Sequence, residues 1–126
     1  MLETPSTPRP RERTGLWLYK IITGILIVVL LGVHFAVNHL LAPEGLLTYQ
    51  EVVRYYTHPI VPIMEIAFLI FVVSHALIGL RGILLDLNPS DRLLSALDKV
   101  FILVGAASIA YGVWLILVIV QRGNAL

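Results

Sequence analysis

The sequence predicts an all-α integral membrane fold with three transmembrane helices, on three observations. Of its 126 residues 58% are hydrophobic and only 13% charged, a balance found in membrane chains rather than in soluble domains. The mean hydropathy is +0.88. Residues 16–41, 60–85 and 100–120 each form an apolar window of the length needed to cross a hydrocarbon core. These windows leave no room for a soluble domain. There are no cysteines, so the chain supplies neither a disulfide nor an iron–sulfur ligand, and any such cluster must sit on a partner.

Charge placement predicts the orientation. Arg9, Arg11, Arg13 and Lys20 precede or open the first apolar helix, and Arg81, Arg92 and Lys99 flank the connection between the second and third. Arg54 and Arg122 lie on the other side. The positive-inside rule then places the amino terminus and the second loop in the cytoplasm, or the equivalent mitochondrial matrix, and the carboxyl terminus outside. A prokaryotic cell membrane is the expected location. The first apolar run is too long for a signal-peptide core, so it is expected to remain as a helix. No basic cluster suggests a nucleic-acid partner.

In chain order, residues 1–14 are rich in Pro and Arg and read as a tail that is disordered or laid on a partner's surface. The first helix is expected at about 15–41, with Trp17 and Tyr19 in an interfacial aromatic belt; it carries His34 and Asn38 on one face. Pro43 and Gly45 stop it. Thr48 to Glu51 reads as a capping box opening a short interfacial helix at about 48–57, with Tyr49, Tyr55 and Tyr56 in the interface. The second helix is expected at about 60–86, where Pro59 and Pro62 fit a first turn. Glu65, one turn in, lies near enough to the membrane edge to reach water. Asn88-Pro89 breaks that helix, and Ser90 can cap a third at about 91–121, ahead of a tail at 123–126. Its small residues, Gly105 to Ser108, Ala110 and Gly112, suit close helix packing, and no ligand is expected from it. Residues 15–122 form the three-helix anchor.

One stripe of the second helix carries candidate chemistry. His75, Gly79, Gly82 and Asp86 recur at i, i+4, i+7 and i+11, so a histidine stands above two positions without side chains and a carboxylate. An imidazole over a flat surface suits the edge of a planar macrocycle such as haem, whose iron is often held by histidine nitrogen. Ser74 and Arg81 share the neighbouring stripe, where the arginine could meet haem propionates or a quinone oxygen.

His75, Gly79 and Asp86, together with the opening Trp17-Leu18-Tyr19-Lys20-Ile21-Ile22-Thr23-Gly24, resemble motifs of the hydrophobic membrane-anchor subunits of succinate dehydrogenase and fumarate reductase (complex II), most closely those of the D type. That family shows histidine, glycine and aspartate at this spacing, usually followed by tyrosine, where this chain has Leu87. It also shows Trp-x-x-Gln-Arg-x-Ser/Thr-Gly, where this chain has Lys20 for the glutamine and Ile21 for the arginine. The resemblance implies that His75 is an axial ligand of haem b, with Gly79 and Arg81 beside it and the opposing histidine on a second membrane-anchor subunit. It further implies a quinone site, for menaquinone or ubiquinone, drawing on Asp86, Lys20 and Thr23. A flavoprotein and an iron–sulfur subunit would dock on the cytoplasmic face, and membrane lipids would surround the rest. The chain itself would do no succinate chemistry and would pass electrons from the iron–sulfur subunit to quinone.

His34 leaves two readings. It stands roughly 26 Å from Trp17, and His75 roughly 17 Å from Asp86, at 1.5 Å per residue. That mismatch of about 9 Å argues against one iron held by both. Resemblance to dihaem members of the family, in which different helices supply ligands near each membrane face, would make His34 the ligand of a second, outer haem. Otherwise it is a packing residue bonded to a neighbour, so one or two haems are expected. The alternative from another class is a purely structural three-helix subunit of another respiratory or transport complex, without haem.

Overall fold

The computed structural model describes residues 13–40 and 45–125, and every element among them is helical. Helix α1 (Thr14–Phe35) runs on through a π-helical turn (Ala36–Leu40). Helix α2 (Tyr49–Tyr55), α3 (Ile60–Asp86) and α4 (Asp91–Asn124) follow. Three segments, Thr14–Leu40, Ile60–Asp86 and Asp91–Asn124, are long and apolar enough to cross a membrane. At 1.5 Å per residue the shorter two reach about 40 Å, more than a hydrocarbon core of about 30 Å. The proposed tail, apart from Arg13 and Thr14, and the stop at Pro43 lie outside the described residues.

Local chemistry sets the ends. The π-helical turn begins where the Asn38 amide donates to the His34 carbonyl at 2.7 Å, a side-chain bond that competes with the regular ladder and widens the turn. Thr48 and Glu51 form a reciprocal capping box at the start of α2: Thr48 N–H donates to the Glu51 carboxylate at 2.7 Å, and Glu51 N–H to Thr48 Oγ1. The Thr48 N–H, and after it the Thr48 hydroxyl donating to the same carboxylate at 2.8 Å, hold the Glu51 carboxyl below its ordinary range. Pro59 and Pro62 sit in the opening of α3, where no N–H is needed. Asn88 adopts a left-handed φ of 52° after α3, and Ser90 Oγ then accepts from Leu93 N–H to cap α4.

Helix α3 is central, packed against α1 on one side and α4 on the other, while α2 rests on the far end of α4. The small residues of α4 make the close approach. A Cβ on Gly105 would stand 2.8 Å from Leu77 Cδ1, and one on Gly112 only 2.5 Å from Leu69 Cδ2. Ile25, Val28, Ile102, Leu103 and many other large apolar side chains face outward, whereas the buried set includes Thr23 and Glu65. Buried apolar residues are few, Val53, Val61, Leu85 and Ile116 among the described residues, so most of the apolar surface faces outward. In lipid the hydrophobic effect does not drive helices together, so close packing and polar contacts must do it.

Two side chains gain partners that the sequence reading did not name. Tyr19, expected in an interfacial belt, meets Ser74 Oγ of α3 with its hydroxyl at 2.8 Å. Glu65 does not reach water; it is 8% exposed and faces α1, because His34 stands opposite.

Candidate functional site

His75 is built into the α1–α3 seam. Its Nδ1 lies 3.0 Å from Thr23 Oγ1, and Thr23 is 1% exposed. The same hydroxyl is 2.7 Å from the Tyr19 carbonyl and 3.2 Å from that of Lys20. Gly24 lets the ring come this close: a Cβ there would stand 3.2 Å from His75 Cε1. Both members of the Thr23-Gly24 pair therefore serve one imidazole. Among the described residues Nε2 has no hydrogen-bond partner. One turn along, a Cβ on Gly79 would meet nothing within 4 Å, so the surface beside the ring is open.

The neighbouring stripe turns to other uses. Ser74 bonds Tyr19, and its hydroxyl also donates to the Ile70 carbonyl at 2.6 Å. Arg81 makes a two-pronged pair with Asp98 of α4, Nε to Oδ1 at 2.6 Å and Nη2 to Oδ2 at 3.0 Å. It points to α4, whereas His75 points to α1. Arg81 and Asp98 also line an apolar cleft of about 420 Å³ between α3 and α4, with Leu77, Phe101 and Gly105. Asp86 is exposed at the end of α3, about 17 Å along the helix from His75. Lys20 is half-buried one turn before Thr23. The fold thus joins Thr23 to His75 and leaves Asp86 well away from both.

A second polar cluster lies in the other half of the bundle. His34 Nδ1 is 2.9 Å from Glu65 Oε1, and the His34 ring stacks on Phe68 at a centroid distance of 5.9 Å. Burial, and then the Glu65 charge, push the nearby Tyr56 phenol up to about 12. Between Thr23 and His34 on α1, and between His75 and Glu65 on α3, the axial rise is about 15–17 Å. The two histidines are therefore farther apart than the roughly 9 Å expected from Trp17 and Asp86 as depth markers. Those markers are not level. Thr23 is only about 9 Å from Trp17 while its partner His75 is about 17 Å from Asp86, so α3 projects farther.

Asp98 is not singled out from sequence, and Glu65 reads there only as a membrane-edge residue. Glu65 carried a usable signal, since ionisable groups inside apolar spans tend to pair with one another. Asp98 carried none, because a carboxylate among the charged residues Asp91, Arg92 and Lys99 that open the third helix looks like part of a solvated end.

These groups exclude one kind of metal site and fit another. Among the described residues no three His, Cys, Asp or Glu side chains converge to hold a bare ion. Haem iron needs only axial ligands beyond its macrocycle. His75 offers one ring nitrogen anchored by protein, the other without a partner, and a small residue alongside. That donor set fits one side of a haem, which His75 would hold through Nε2. His34 is likewise tied through Nδ1, to Glu65, but its ring stacks on Phe68.

Comparison with known proteins points the same way. Residues 6–119 match the family described as Succinate dehydrogenase/Fumarate reductase transmembrane subunit. The chain is also 35% identical over 100 residues to the succinate dehydrogenase hydrophobic membrane anchor subunit of Archaeoglobus fulgidus, covering 79% of this chain and 85% of the relative. With three membrane-length helices in the expected arrangement, the chain is an integral membrane protein and belongs to the succinate dehydrogenase/fumarate reductase transmembrane-subunit family.

Proposed function

We propose that this chain is a haem b-binding anchor of a succinate:quinone oxidoreductase, carrying electrons from an iron–sulfur subunit towards membrane quinone. The observation that supports this best is His75, held at Nδ1 by Thr23 with Nε2 left without a partner beside the open surface at Gly79. A histidine already satisfied by its neighbours would present no such nitrogen. Haem, when bound, supplies a one-electron site; the protein contributes the ligand, its orientation and an apolar wall. The opposing ligand would come from a second anchor subunit, and a flavoprotein with its iron–sulfur partner would dock on the cytoplasmic face, where the charge bias puts the amino terminus. A prokaryotic cell membrane is the setting this implies.

For quinone, menaquinone or ubiquinone, the reading rests on Asp86 and Lys20. Asp86 is an exposed carboxylate at the end of α3, able to pass a proton from water to a quinone oxygen at the membrane edge. Thr23 is committed to His75, and Arg81 to Asp98; both therefore act on the helix arrangement ahead of any quinone contact. A second haem on His34 is a second reading, favoured by its carboxylate-anchored Nδ1.

The test is the haem-to-flavin ratio, with a reduced-minus-oxidised spectrum, of the complex purified through this subunit. One haem per flavin, lost in His75→Ala, is the expected result; two would bring in His34. None would leave the chain a structural anchor and refute the proposal. In the same preparation Asp86→Asn should slow quinone reduction while succinate oxidation by an artificial acceptor is kept. Equal loss of both would remove Asp86 from the quinone site.

A further inference from the structure

The contacts of Thr23 determine which nitrogen of His75 carries the proton. A hydroxyl has one hydrogen to give and lone pairs to accept with. Thr23 Oγ1 lies 2.7 Å from the Tyr19 carbonyl oxygen and 3.2 Å from that of Lys20, and both of those oxygens can only accept. At 2.7 Å two oxygens without a hydrogen between them repel, so the Thr23 hydrogen points at the Tyr19 carbonyl. The remaining contact, 3.0 Å to His75 Nδ1, can then be a hydrogen bond only if Nδ1–H donates and Thr23 accepts. In neutral imidazole the proton on Nδ1 leaves the lone pair on Nε2.

We infer that Thr23 is a positioning residue that holds His75 in the Nδ1–H tautomer, so that Nε2 is ready to bind haem iron before haem arrives. This rests on the haem reading proposed above and names a role within it. Three features bear on it independently of that reading. Thr23 is 1% exposed, so water cannot substitute as the acceptor. Its hydroxyl is locked by its own helix, four residues back. Gly24 removes the side chain that would otherwise hold the ring off, since a Cβ there would already stand 3.2 Å from His75 Cε1. Once iron is bound, the same Nδ1–H bond increases the electron donation of the imidazole, as outer partners of metal-bound histidines do.

Thr23→Val keeps the shape and removes the acceptor. On the side that faces buried position 23, the ring then does better with a bare nitrogen at Nδ1 than with an unpaired N–H, and the proton moves to Nε2, where it blocks the iron. The test uses the whole purified complex. Haem retention per flavin through repeated gel filtration and the haem reduction potential are measured in wild type, Thr23→Val and Thr23→Ser. Expected are haem binding at least about tenfold weaker in Thr23→Val, the scale typical of such outer partners, an upward shift in the potential of the haem that remains, and return of both to wild type in Thr23→Ser. If Thr23→Val does not assemble, Thr23→Ala against Thr23→Ser takes the same two readings. A variant without the hydroxyl that keeps wild-type retention and potential overturns the inference. His75→Ala separates the two levels: haem kept there refutes the ligand reading, while haem lost there with Thr23→Val unchanged refutes only the role of Thr23.

Discussion

Replacing His34 by leucine should harm this protein more than replacing His34 and Glu65 together. The pair is bonded at 2.9 Å, with side-chain exposures of 37% for His34 and 10% for Glu65. A hydrogen bond to a charged acceptor contributes about 1.5–3 kcal/mol. The half-open position of His34 argues for the lower part of that range. Neutral bonds between transmembrane helices average only about 0.6 kcal/mol in mutant cycles, with a maximum near 1.7. A coupling of about 1.5–2 kcal/mol is therefore expected, roughly tenfold or more in the unfolding equilibrium, because His34→Leu leaves a carboxylate facing an apolar wall. His34→Leu/Glu65→Leu removes both polar groups and should recover most of that loss. The assay is equilibrium unfolding in mixed micelles of wild type, the two single variants and the double variant. Additivity within about 0.5 kcal/mol would refute the reasoning, since independent sites behave that way. The same four proteins serve a second purpose: loss of one of two haems in both His34 variants would add ligation to the pair's structural role.

Gly112→Ala should loosen the α3–α4 seam, because its Cβ would lie 2.5 Å from Leu69 Cδ2, well inside the usual carbon contact of about 3.5–4.0 Å. Overpacking of about 1–3 kcal/mol exceeds the helix-propensity gain of up to about 1 kcal/mol, so unfolding in mixed micelles should come earlier, and Leu69→Ala on the same chain should offset part of it; unchanged stability in Gly112→Ala would mean the helices stand farther apart. Tyr56 should ionise near pH 12 rather than at its ordinary 10, read as the absorbance at 295 nm lost in Tyr56→Phe. Its neutral form is the one favoured by folding, so the stability it contributes is complete below pH 10 and disappears between 10 and about 12. Glu65→Gln should bring the titration part of the way back, burial being the larger cause; an ordinary value in wild type would place Tyr56 in open solvent.

Much of the fold was legible because a membrane permits few solutions. Backbone polar groups cannot remain unpaired in hydrocarbon, so an apolar run of membrane length must be a helix, and Pro, Gly, Asn and Ser mark the breaks by local chemistry alone. The cap at Thr48 and Glu51 and the cap at Ser90 are likewise local, each bond closing within three residues. His75 stood out because a histidine deep in an apolar run is costly and so calls for a reason.

Tertiary structure decided what each polar side chain faces. Residues 23 and 75, 34 and 65, and 81 and 98 are joined by helix register and rotation, and a helical period states only which residues of one helix share a stripe. That is why Arg81, on a stripe beside His75, turned out to serve Asp98, and why Glu65, expected near water, turned out to be buried against His34. It is also why Thr23 emerged as the partner of His75. The sequence by itself determined three membrane helices and a histidine deep in the second; the packing of α1 on α3 decided which of that histidine's nitrogens is tied to Thr23.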